Sequence, residues 1–136
     1  MIPGTRLKHL GFLLIGFLSG FLAVGIPFWS LPYNEVNVPD SLMTAGMLVV
    51  VFASLLIRAL GAASIWEISL VVGLSVPASV LARVNVETAA DPTSHNLWPI
   101  EIVFASAVGL PAALAGALIG SLIARLLAGR TTDGRS

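Results

Sequence analysis

Glu87, Asp91, His95 and Glu101 fall within one short stretch that also holds Trp98, and this is the densest gathering of reactive side chains in the sequence. One imidazole among carboxylates is a donor set that suits a hard divalent cation such as Ca, Mg or Mn. Asp91, His95 and Glu101 are therefore the candidate ligands. Their spacing follows no established metal motif. Local structure also offers most of them another role. Asp91-Pro92 reads as an N-cap followed by proline at a first helical position. Glu101 falls in the first turn of a helix, where a negative charge complements the positive end of the dipole. Only His95 is left without a structural explanation, so no metal or cofactor is assigned.

A second acid, Glu67, lies beside an apolar run. An acid within a membrane span is by default a functional candidate. Against that, Ser64-Ile65-Trp66-Glu67 fits the capping-box pattern, with Ser64 as N-cap and Glu67 closing back on it. Nucleophilic catalysis has little to draw on. The chain has no cysteine, no serine in a nucleophile elbow, no phosphate-binding glycine loop, and a second histidine, His9, far from the first. These features point away from an enzyme.

The elements that must position these groups follow from composition. Of 136 residues, 57% are hydrophobic and only 10% charged, with a mean hydropathy of +0.96. A soluble domain carries about 25% charged residues, and so short a chain has too much surface to hide this much apolar material from water. Lipid is the expected solvent. Seven basic and seven acidic residues cancel, which leaves no field to attract nucleic acid.

A hydrocarbon core about 30 Å thick needs about 20 apolar residues per helix. Four stretches qualify, at 10–28, 41–60, 65–82 and 99–127, predicting an all-α four-helix transmembrane bundle of two helical hairpins. Outer loops are expected at 29–40 and 83–98, with a frayed polar tail at 129–136. The third stretch is the weakest, because it carries Glu67, three serines and Pro77. Charge supports it. With four crossings Arg6, Lys8, Arg58, Arg125, Arg130 and Arg135 share one side, and Arg83 alone faces the other. That is the positive-inside pattern, placing both termini in the cytoplasm. The 19-residue first stretch exceeds a secretory signal core of about 7–15 residues, so it is expected to remain as a helix. Six arginines against one lysine point to a bacterial cytoplasmic membrane.

Trp29, Tyr33 and Trp98 fall at the outer boundary and Trp66 at the inner one, where aromatic rings anchor helices at headgroup level. Gly16 and Gly20 form one GxxxG pair, and Ala112, Gly116, Gly120 and Ala124 extend another at four-residue spacing. Such stripes let helix backbones approach closely in lipid, either within one chain or between subunits. The deep parts of the helices offer only hydroxyls, and the first stretch has no carboxylate, which argues against proton-coupled export. The expected function is a non-enzymatic membrane subunit or scaffold, assembling through small-residue faces into a homo-oligomer or a hetero-membrane complex. Two alternatives stay open. One is a passive permease or channel component with Ser69, Ser75 and Ser79 lining a path. The other is a sensor or binding module built on the acidic loop around His95.

Overall fold

The computed structural model describes residues 3–32, 44–91 and 98–133, and among them all regular structure is helical. Five helices follow in order: α1 Pro3–Ser30, α2 Gly46–Ala59, α3 Ile65–Gly73, α4 Ser75–Ala90 and α5 Trp98–Asp133. Helices α3 and α4 form one bent rod. Only Leu74 separates them, and the ladder continues through it, from Leu74 N to Leu70 O at 3.0 Å and from Ala78 N to Leu74 O at 3.0 Å. The break has a local cause. Pro77 has no N–H to give the carbonyl of Gly73 four residues back, and a proline at that place bends a helix. Three runs, Leu7–Ser30, Ile65–Ala90 and Trp98–Gly129, are long and apolar enough to cross a membrane. At 14 residues, α2 spans only about 21 Å.

Several boundaries differ from those expected. The stretch at 41–60 becomes helical only at Gly46, after a turn at Thr44 and Ala45, and Ser41 to Met43 lie outside the described residues. The predicted outer loop at 83–98 is helical as far as Ala90. Arg83 pairs with Glu87 one turn on, and the Thr88 hydroxyl donates to Val84 O at 2.6 Å, so the polar residues that read as a loop stabilise another two turns of helix. The predicted tail is likewise helical to Asp133.

The helices pack as a four-cornered bundle. α2 and the α3–α4 rod each touch both α1 and α5, which take the remaining corners. Along the rod Ile68, Val72, Val76, Val80 and Val84 are buried at every fourth position, and the row runs unbroken through Leu74. Facing it, α5 buries Ala105, Gly109, Ala113, Ala117 and Ser121. A branched ridge thus sits in a groove of small residues, the ridge-and-groove packing expected of i, i+4 rows. Large side chains point the other way. Leu118 is 51% exposed beside fully buried Ala117, and Phe52, Leu56, Ile15 and Leu122 are equally open. Small inside and large outside is the pattern of a bundle bathed in hydrocarbon.

Glycines set the closest crossings. A Cβ on Gly116 or Gly120 would run into the carbonyl oxygen of Val51 or Leu55 on α2, and one on Gly46 into that of Ala23 on α1. Nothing lies within 4 Å of a Cβ on Gly11. Gly116→Ala is accordingly expected to cost about 1–3 kcal/mol by overpacking. Gly11→Ala should gain about 0.5 kcal/mol from helix propensity. Reversible unfolding of both variants in mixed micelles checks the pair; equal stability would refute this account of the α2–α5 crossing.

Candidate functional site: two polar clasps on the first helix

Polar side chains in the bundle concentrate at the two ends of α1. At its C-terminal end the last carbonyls have no partner within the helix. Arg83, reaching across from α4, supplies one. Its Nη1 donates to Phe28 O at 2.5 Å, its Nη2 to Leu31 O at 2.6 Å, and its Nε to Glu87 Oε1 at 2.6 Å. The guanidinium also lies 5.2 Å from the centroid of the buried Phe28 ring. A planar fork meets three acceptors at once, a geometry that lysine cannot reproduce. With only 6% of the residue exposed, the charge is held by its partners rather than by solvent. One turn earlier along α4, Ser79 O accepts from the Trp29 indole at 2.9 Å, and Ser79 Oγ donates to Phe21 O at 3.0 Å. Trp29 and Phe21 meet edge to face at 5.1 Å. A shallow apolar groove of about 300 Å³ opens beside the clasp, lined by Trp29, Ala82, Arg83, Val86 and Glu87.

At the other end His9 reaches the turn between α2 and α3. Its Nδ1 contacts Ala62 O at 2.7 Å, and its Nε2 is paired with Glu67 Oε2. Ser64 caps α3, accepting from Glu67 N at 3.2 Å and donating its own proton to Glu67 Oε1 at 3.1 Å. The same turn is held from α2 and α5. Arg58 donates to Ala63 O at 3.1 Å and to Ser121 Oγ at 2.8 Å. Gly61, at φ 70°, supplies the left-handed residue the turn needs. From His9 to Phe28 the helix rises about 28 Å, close to the thickness of a hydrocarbon core.

Three more hydroxyls are bonded to helix carbonyls. Ser69 donates to Ile65 O at 2.7 Å, Ser75 to Val72 O at 2.5 Å and Ser106 to Ile102 O at 2.8 Å. Among the described residues, Ser54 Oγ is the buried side-chain polar atom that has no hydrogen-bond partner.

The residues singled out from sequence land in different places. Gly16 packs on Ile57 and Val72, and Gly20 on Ser75 and Val50. Together with Gly116 and Gly120 they are filled by this chain's own helices. Ala112 and Ala124 are only half-buried; the deeper seam is offset from them through Ala113 and Ala117. Asp91 closes α4 as its C-cap, in extended conformation with φ −141° and its N–H on Glu87 O at 2.8 Å. The cause is Pro92, which drives the residue before it out of the helical region. The helical turn expected to follow Asp91 lies outside the described residues. Glu101 sits in the first turn of α5. His95 and Tyr33 lie outside the described residues. Trp66 is 73% exposed and Trp98 45%, whereas the Trp29 N–H is already spent on a carbonyl. Sequence reasoning missed Arg83, His9 and the crossing glycines Gly46, Gly73 and Gly109. Arg83–Glu87 left a signal in its i, i+4 spacing; the contact of His9 left none.

Compared with known families, curated proteins and solved structures, the chain matches none. Its reading therefore rests on its own residues. Removing the guanidinium takes its donors from Phe28 O, Leu31 O and Glu87 Oε1, so Arg83→Met is expected to lose about 3 kcal/mol. Arg83→Lys should recover less than half of that, since one ammonium cannot replace the fork. Chemical unfolding followed by the helical circular-dichroism signal measures both; full rescue by lysine would show that charge alone matters.

Proposed function

We propose that this chain is a multi-pass integral membrane protein, crossing the bilayer four times with both ends on the arginine-rich, cytoplasmic side of a bacterial inner membrane, and that it serves as a non-enzymatic membrane subunit. One observation carries the reading. Apart from Ser54 Oγ, the buried polar side chains are bonded to the chain's own backbone and to one another, while many large apolar side chains face outward. Such a bundle offers its outer surface to a partner. Up-and-down order fits the contacts, because the start of α1, the end of α2, the start of α3 and the later part of α5 meet around His9, Arg58, Glu67 and Ser121. Among the described side chains Lys8, Arg58 and Arg125 belong to that end and Arg83 to the other, a distribution that fits a cytoplasmic placement of the first.

Association is then through large apolar side chains such as Leu118, Ile119 and Leu122 on α5, since the small-residue faces are already filled. The permease reading draws less support. It needs Ser69, Ser75 and Ser79 open to a path, and their hydroxyls are bonded to carbonyls of α1, α3 and α4.

Two measurements test this. The chain has no cysteine, so Ser94→Cys should react with an impermeant thiol reagent outside intact cells while Thr131→Cys stays protected. A photo-crosslinking residue at Ile119 should trap protein in native membranes, whereas one at Ala113 should not. Adducts with lipid alone at every outward position would end the subunit reading.

A further inference from the structure

The apolar groove beside Arg83 has a charged edge. Trp29, Ala82, Arg83, Val86 and Glu87 line it, around a volume of about 300 Å³. Most of this wall is carbon. Val86 is 72% exposed, and the Trp29 N–H is spent on Ser79 O, so that side chain has its ring alone to offer. The two polar liners carry opposite charges and are joined, Arg83 Nε to Glu87 Oε1 at 2.6 Å. Neither is exhausted by that bond. Three of the five guanidinium N–H groups meet Phe28 O, Leu31 O and Glu87, which leaves two. Glu87 keeps 25% of its side chain open, and each carboxylate oxygen accepts more than one hydrogen bond.

We propose that this groove binds one phospholipid whose head carries a phosphate and a primary ammonium, as phosphatidylethanolamine does. The order of the charges along α4 carries the inference. α4 runs away from the His9 end of the bundle, so Ala82 and Arg83 lie deeper and Glu87 one turn, about 6 Å, further out. A zwitterionic head has the same order, with phosphate next to the acyl chains and the amine beyond it. The phosphate then takes the remaining N–H groups of Arg83, and the ammonium donates to Glu87. The glycerol end and first acyl carbons rest on Trp29, Ala82 and Val86. Other heads fit less well. An anionic head sets a second negative charge against Glu87 without compensation, and a quaternary ammonium has no N–H to donate. The inference rests on the bundle spanning a bilayer, and it places the lipid in the leaflet away from His9 and Arg58.

Trp29 is the reporter. The chain has three tryptophans, so Trp66→Phe with Trp98→Phe leaves the one that lines the groove. That protein is placed in phosphatidylcholine vesicles with a fixed minor fraction of one brominated lipid, its bromines high on the acyl chains. Brominated phosphatidylethanolamine should quench Trp29 with an apparent affinity about fivefold that of brominated phosphatidylcholine. Brominated phosphatidylglycerol should show no such excess. Glu87→Gln, which keeps an acceptor for Arg83 and loses the charge, should abolish the preference. Ala82→Phe fills the groove and leaves both charges, and it should abolish the preference too, with circular dichroism confirming that the helices remain. Quenching in proportion to mole fraction for all three lipids, an excess for phosphatidylglycerol instead, or an excess that survives Ala82→Phe overturns the proposal. Quenching by none of them overturns the membrane reading itself, and this proposal with it.

Discussion

At three helix crossings four glycines lie against a neighbouring carbonyl oxygen, and the packing of the bundle depends on them. Gly46 lies on Ala23 O, Gly116 on Val51 O, Gly120 on Leu55 O and Gly109 on Gly73 O. In hydrocarbon no hydrophobic force draws helices together, so attraction comes from close van der Waals contact and weak Cα–H···O bonds. α2 takes part in three of these four contacts, once toward α1 and twice toward α5. It is the shortest of the four corners, and it is clamped on both sides. The fourth contact has a further source. The Gly73 carbonyl is the one that Pro77 deprives of its helical partner, and Gly109 is the residue laid against it.

These crossings explain why part of the fold was legible from sequence and part was not. Apolar runs mark where helices lie because length and hydropathy are local properties. The GxxxG pairs, also local, pointed to Gly16, Gly20, Gly116 and Gly120, all of which sit at crossings. Gly46 and Gly73 escaped because a single glycine has no spacing to betray it, and Gly109 because its row competes with the one through Ala112 and Gly116. The same limit displaced the seam on α5. A row through Ala112 and Ala124 and a row through Ala113 and Ala117 differ by one residue, and only contact with the valines of the α3–α4 rod selects between them.

Polar residues followed the opposite rule. Serine and arginine read in isolation as path lining and boundary charge, since each has several satisfactory settings in a membrane. Their partners lie 50 or more positions away: Trp29 with Ser79, His9 with Ala62, Arg83 with Phe28. Pairings at that range leave no trace in a single sequence. What they achieve together is legible in space. α1 is tied at both ends, and between them it is packed by shape apart from the Ser79 hydroxyl on Phe21 O.

The clasp at Arg83 also has a consequence for biogenesis. The carbonyls it satisfies, Phe28 O and Leu31 O, precede it by more than 50 residues, so they leave the ribosome first. Order of synthesis therefore places the acceptors before the arginine that uses them.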